Sequence, residues 1–247
     1  MVSKNQIKLI KSLSQKKQRR AHSLFVAEGK KTILELLNSS LELNMLYSED
    51  AIFEVSPDKF LKLEKGELKK ISFLKTPQSA LALFRIPELP IPNYNGVVLV
   101  LDGVRDPGNL GTIIRLCDWF GIAQLVCSED TVDCYNPKVV QATMGSIARI
   151  KISYVDLNEY LSARPQDLPV FGTFMNGKNI YANPLPQRAI LIMGNEANGI
   201  SPEVENLVTK RLGIPQFGKD ASTESLNVAT ATAICLSEFK RTVFTEK

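Results

Sequence analysis

Three short polar stretches hold the residues best equipped for chemistry. Residues 97–121 read VVLVLDGVRDPGNLGTIIRLCDWFG and present Asn109 and Arg115. Residues 190–200, ILIMGNEANGI, set Asn195, Glu196 and Asn198 between Gly194 and Gly199. Residues 214–229, IPQFGKDASTESLNVA, bring Ser225 and Asn227 to the start of a helical pattern. Amides, a carboxylate, a hydroxyl and a guanidinium are hydrogen-bonding groups that suit a polar, anion-bearing ligand, and the unpaired N–H groups of a helix start favour the same ligand. Each residue also has an ordinary structural reading. Asn109 and Ser225 would cap helices, Arg115 would be a solvated helix residue, and Glu196 a solvated turn carboxylate.

The elements that position these residues decide between the two readings. Residues 97–101 form a short β-branched apolar run that suits a buried strand. A polar turn follows over 102–109, then a helical pattern over 110–120 closed by Gly121. Further strand candidates are 124–127, 149–153, 169–173, 189–193 and 211–214, with helical segments between most of them and a long helix over 226–244. This alternation predicts a mostly parallel sheet covered on both faces, an α/β architecture. Ligands of such sheets collect at the carboxyl ends of the strands, where all three polar stretches would lie. Neither GxGxxG nor GxxxxGK[ST] occurs, which disfavours a dinucleotide fold or a P-loop.

Composition excludes other classes. In 247 residues, 44% hydrophobic and 23% charged, no apolar run is long enough to span a membrane. One histidine, His22, leaves no basis for a histidine-based zinc site or a Ser-His triad, and no metal is expected. The four cysteines form no CxxC pair, and the basic N-terminus lacks the apolar core of an export signal. A cytoplasmic protein with reduced thiols is the expectation.

Ahead of the alternating region lies a smaller α/β pattern. Residues 3–14 read as an amphipathic helix, 16–20 as a basic loop, 24–27 as a strand and 30–37 as a helix. Short elements follow at 43–47, 57–65 and 69–73, with a further turn or helix at 76–83. Pro87, Pro90 and Pro92 break any regular element, so residues 85–96 read as a linker between a domain at 1–84 and another at 97–247. Residues 1–96 carry 16 Lys/Arg against 10 Asp/Glu, whereas 97–247 carry 14 against 16. A basic appendage on a near-neutral domain suits a polyanion such as RNA, although a solvated lysine-rich terminus has the same composition.

Taken together, Asn109-x-Gly111-x-x-x-Arg115 with Phe120-Gly121, Gly194-Asn195-Glu196-x-x-Gly199, and Ile214-Pro215 with Ser225-Leu226-Asn227-Val228-Ala229 resemble the three signature motifs of the SpoU (TrmH-type) RNA ribose 2′-O-methyltransferases. The resemblance covers residues 97–244, and residues 17–31 resemble, more loosely, the small substrate-binding domain of many members. It implies a SPOUT-like fold with a C-terminal trefoil knot over roughly 171–229 that binds S-adenosylmethionine. It also implies a homodimer through the last helix and no metal. By motif position, Arg115, Asn109, Glu196, Ser225 and Asn227 would be catalytic. Gly194, Asn195, Gly199, Ile214, Pro215, Leu226 and Ala229 would hold the cofactor, joined by Thr173 and Met175 past another strand end. Gln216 departs from the pattern, since many members have methionine there.

The expected activity is methylation of a ribose 2′-hydroxyl, with ribosomal RNA favoured over transfer RNA by the presence of the added domain. Lys4, Lys8, Lys11, Lys16, Lys17, Arg19 and Arg20 are the candidate grips on RNA backbone. Two other readings stay open. A silent RNA-binding protein on the same fold would have lost some of the five polar residues, and all are present. A base methyltransferase would need another acid or base in the last loop, where Asp220 stands.

Overall fold

The structure, a computed structural model, describes residues 1–182, 184–218 and 225–241. By internal contacts the chain forms two compact units, residues 1–88 with 133–149, and residues 89–132 with 150–247. The first contains α1 (Lys4–Ser12), α2 (Lys16–His22), β1 (Leu24–Glu28), α3 (Lys30–Leu37), β2 (Leu43–Ser48), β3 (Phe60–Lys62), α4 (Leu68–Ile71) and β4 (Ala80–Arg85). Its sheet runs in the order β1-β4-β2-β3, with β4 antiparallel to both neighbours. Ile10, Leu13, Val26, Ile71, Leu81 and Leu83 build its core.

Two expectations fail here for a shared reason, burial that is invisible locally. Residues 16–20 are not a loop but the start of α2, because Arg19 is 2% exposed and anchors the helix inward. Its Nη1 donates to the carbonyls of Leu13 (2.8 Å) and Ser14 (2.9 Å), and its Nε and Nη2 donate to Asp133 Oδ2 at 3.0 and 2.5 Å. Within 76–83, the turn or helix gives way to β4, which is buried from Ala80 to Phe84 between two strands. A short apolar run reads alike as buried strand or helix until its neighbours are known.

The second unit contains β5 (Val97–Leu101), α5 (Pro107–Trp119) and β6 (Gln124–Ser128). The chain then contributes α6 (Pro137–Thr143) to the first unit, where Tyr135 meets Phe25 at 4.8 Å between ring centroids. It returns as β7 (Lys151–Val155), α7 (Leu157–Ser162), β8 (Val170–Asn179), β9 (Ala189–Met193), α8 (Pro202–Glu205), β10 (Lys210–Gly213) and α9 (Val228–Arg241). The strand expected at 149–153 starts two residues late. Residues 146–148 form a 3-10 turn, and Arg149 pairs with Glu35 in the first unit at 2.7 Å. All pairings in the six-stranded sheet, order β10-β8-β9-β5-β6-β7, are parallel. The strands β5, β6 and β9 are buried throughout, as a sheet covered on both faces requires. Their carboxyl ends therefore share one edge.

β8 departs from the short strand expected at 169–173. Phe171 and Gly172 pair with Lys210 and Arg211, but the next residues of β10, Leu212 and Gly213, pair with Lys178 and Asn179. Residues 173–177 are thus bulged out of the ladder. Thr173 pins the departure by donating its hydroxyl to the Ile192 carbonyl at 3.1 Å.

Candidate active site

The loop from β5 into α5 begins with an elbow. Asp102 is buried, and its Oδ2 accepts from both the main-chain N–H (2.7 Å) and the hydroxyl (2.8 Å) of Ser201. Gly103 follows at φ 71°, a left-handed conformation that favours glycine. Its N–H donates to Ser128 Oγ at 2.9 Å, and its carbonyl accepts from Asn195 Nδ2 at 2.6 Å. Three loops thus converge on two residues.

Asp106, not Asn109, caps α5. Its Oδ1 accepts the Asn109 N–H at 2.8 Å, and Pro107 occupies the first helical turn, where a missing N–H costs nothing. The Asn109 side chain is therefore spent elsewhere. Its Nδ2 donates to Glu196 Oε1 at 2.9 Å, and its Oδ1 accepts from Asn227 Nδ2 at 2.9 Å. Asn227 in turn caps α9, its Oδ1 accepting from the N–H groups of Ala229 (3.0 Å) and Thr230 (3.2 Å). A carboxylate–amide–amide chain, Glu196–Asn109–Asn227, so links the ends of β5, β9 and β10 through the starts of two helices.

The turn that carries Glu196 is closed by its own hydrogen bonds. Asn195 and Gly199 exchange main-chain hydrogen bonds at 2.8 and 3.0 Å, and Asn195 Oδ1 accepts from the N–H groups of Ala197 and Asn198. A Cβ on Gly194 would run into the backbone of Gly199 and Ile200, so the turn folds back onto the strand end.

Ser225 and Arg115 stand outside this chain. Ser225 is exposed, and the capping role is taken by Asn227. Arg115 is exposed on α5, six residues past Asn109, about 9 Å along the axis, and makes no hydrogen bond or ion pair with the described residues. Asp220 and the expected ends of the last helix beyond 241 lie outside the described residues. The helix itself begins at Val228 rather than 226.

The residues assigned to a cofactor sit on the same edge. Thr173 and Met175 are in the β8 bulge, Ile214 and Pro215 follow β10, and Leu226 precedes α9. Gly213 and Gly177 approach so closely that a Cβ on Gly213 would lie 2.8 Å from the Gly177 carbonyl oxygen. Met175, Phe217 and Leu226 expose apolar side chains along these segments. Backbone groups with apolar cover, and no phosphate-binding glycine loop, suit a nucleoside ligand that carries no phosphate. S-adenosylmethionine is of that kind.

The basic N-terminal residues divide. Lys4, Lys8, Lys17 and Arg20 are exposed and Lys16 is half-buried. Arg19 is withdrawn from any contact with RNA, since its guanidinium is internal. Lys11 donates to the Ser72 carbonyl at 2.6 Å and lies over the Phe73 ring.

Sequence reasoning missed Asp102, Ser128 and Ser201. An Asp-Gly pair directly after an apolar strand, and Asp-Pro opening a helix, were the available signals. All four cysteines are buried, and none is in a disulfide. Burial pushes the Cys235 thiol up to about 12 and the Cys117 thiol upward as well, so neither acts as a nucleophile. Among the described residues no cluster of metal ligands occurs, and no helix is long and apolar enough to cross a membrane.

Comparison with known proteins points the same way. The SpoU rRNA methylase family model matches residues 96–237, and an MRM3-like substrate-binding domain matches residues 4–82. The 23S rRNA (guanosine(2553)-2′-O)-methyltransferase RlmP of Bacillus subtilis is 30% identical over 239 residues, covering 94% of this chain and 95% of that protein. A solved structure from Porphyromonas gingivalis, assigned to the TrmH family of RNA methyltransferases, is 42% identical with a TM-score of 0.90, covering 98% and 99% of the two chains. An AdoMet-bound rRNA methyltransferase from Sinorhizobium meliloti is 29% identical with a TM-score of 0.85, covering 98% and 97%.

Proposed function

This chain belongs to the SpoU rRNA methylase family, and from that premise we propose that it methylates a ribose 2′-hydroxyl of ribosomal RNA with S-adenosylmethionine. The observation that carries the reading is the Glu196–Asn109–Asn227 chain, which joins one residue of each motif at one sheet edge. The likeness to RlmP over almost the whole length of both chains supports 23S ribosomal RNA as the substrate class.

When bound, S-adenosylmethionine supplies a methyl group on a positively charged sulfur and needs no activation from the protein. The chain's own residues must hold the nucleophile. Asn109, Asn227 and Glu196 orient the ribose through a fixed set of donors and acceptors, which would present its 2′-hydroxyl to the methyl group that the cofactor supplies. Arg115 grips the phosphate next to the target ribose with two parallel N–H donors. The hydroxyl would donate its hydrogen bond to that phosphate, and its proton would pass to solvent as the methyl carbon exchanges its bond to sulfur for one to oxygen. Ser225, exposed ahead of α9, adds a further hydroxyl toward the ribose. Gly194, Asn195, Gly199, Ile214, Pro215, Leu226, Ala229, Thr173 and Met175 frame the cofactor.

In this reading residues 1–84 bind substrate, 85–96 link, and 97–247 carry the methyltransferase, whose segment 171–229 forms a trefoil knot. A homodimer through α9 is supported by its half-exposed small and apolar residues Ala231, Ala233 and Ile234. A cytoplasmic location is supported by four thiols without a disulfide.

The deciding experiment transfers labelled methyl groups to ribosomal and transfer RNA kept apart, with wild type beside Arg115→Ala. Alkali-resistant label in the ribosomal fraction, reduced about 100-fold in the variant, is expected. Label confined to transfer RNA or to bases overturns the reading.

A further inference from the structure

Arg105 stands in the loop between β5 and α5, four residues before Asn109. Its main-chain N–H lies 3.5 Å from Glu196 Oε2, so its backbone borders the Glu196–Asn109 pair. The side chain turns to Asp130, with Nη2 3.0 Å from Oδ2. Both partners are open to solvent, 69% and 53% exposed. Such pairs contribute little to stability and exchange readily.

The seat of Asp130 does not depend on Arg105. Ser128 donates its hydroxyl to Asp130 Oδ1 at 2.7 Å, and Gly103 leaves room for the carboxylate, since a Cβ there would lie 3.3 Å from Oδ2. Ser128 first, and Arg105 second, hold this carboxyl below the usual range. Asp130 therefore keeps its Ser128 partner when the guanidinium leaves.

The unit that carries the site is short of positive charge. Residues 1–88 and 133–149 hold 18 Lys/Arg and 11 Asp/Glu, a net of +7. The remaining 12 and 15 leave the second unit at −3. A polyanion reaching the Asn109 edge must be received by individual cations. Arg105 and Arg115 bracket Asn109 in the chain, and a ribose within a strand has a phosphate on each side.

We infer that Asp130 is a placeholder for an RNA phosphate. Arg105 leaves it to bind a phosphodiester of the substrate strand, on the side of the target ribose opposite the phosphate held by Arg115. This rests on the reading of the chain as an RNA methyltransferase and adds a contact that its motifs do not include. A guanidinium gains by the exchange, because the phosphate accepts two parallel hydrogen bonds where Asp130 accepts one.

The test is filter binding of protein-free ribosomal RNA, prepared from a strain lacking the gene, across a salt titration. Binding is read whether or not methyl is transferred. Arg105→Ala is expected to weaken binding about tenfold and lower the slope of log affinity against log salt by about 1, and Arg105→Lys to restore the slope. Asp130→Asn is expected to tighten binding about threefold by freeing Arg105. Opposite signs for Arg105→Ala and Asp130→Asn support the exchange. Equal weakening by both means that the pair merely braces the loop, and unchanged binding in both means that Arg105 meets no phosphate; either overturns it while wild-type binding leaves the RNA reading intact. Absence of RNA binding by the wild type overturns both.

Discussion

The Asn109 side chain is available for distant partners because a different residue caps the helix. Asp106 satisfies the helix start, so both ends of the Asn109 amide are free to join Glu196 and Asn227. Asn109→Leu should preserve the helix and cut both links. Methyl transfer should fall about 100-fold while the thermal midpoint moves little, a pair of readouts that separates orientation from folding. The sequence made the residue type visible but not its partners, which lie 87 and 118 positions away. Arg19 shows the same limit in reverse. In a run of seven basic residues without an acid, nothing local distinguishes a buried guanidinium from solvated ones. Glu28 is a further buried charge, its carboxyl accepting from Ser72 Oγ (2.5 Å) and the Phe73 N–H (2.7 Å). Burial outweighs these bonds and raises its pKa above 4.5. The folded state therefore holds a proton that the unfolded state has lost, and stability falls as pH rises from 4.5 through the raised value. Urea titrations across that interval should show a decline that Glu28→Gln flattens.

At the scale of elements, the alternating pattern was legible because parallel strands buried on both faces are continuous apolar runs, and β5, β6 and β9 appear where expected. The strand ends near which Asn109, Glu196 and Asn227 meet were legible for the same reason. The β8 bulge was not, since it arises from a jump in register against β10, and register is a property of pairs. Nor was α2, whose inward face is set by Asp133, far along the chain. Asp133→Ala should leave the Arg19 guanidinium buried without its counter-charge. The expected loss is about 3–5 kcal/mol in chemical denaturation of the full chain, because an unpaired buried charge costs more than the pair contributes.

Across the whole molecule, charge is sorted between the units, +7 against −3. The salt dependence of RNA binding should then come mostly from the first unit. Replacing Lys4, Lys8, Lys17 and Arg20 together by Gln should lower the salt slope by about 3, since each phosphate contact contributes roughly 0.7–0.9. A slope left unchanged would place the RNA on another face.

Residues 133–149 lie within the methyltransferase half of the sequence but pack with the other unit, through Asp133 on Arg19, Tyr135 on Phe25 and Arg149 on Glu35. The proline-rich stretch near residue 88 is thus a misleading place to cut. A fragment ending there would be missing a wall, and the complementary fragment would carry that wall with nothing to stand against. Expression of the halves should give two insoluble products, and the smaller should become soluble when residues 133–149 are grafted back onto it. Reading order and building order are different things in this chain, and the first piece is finished only by material borrowed from across the join.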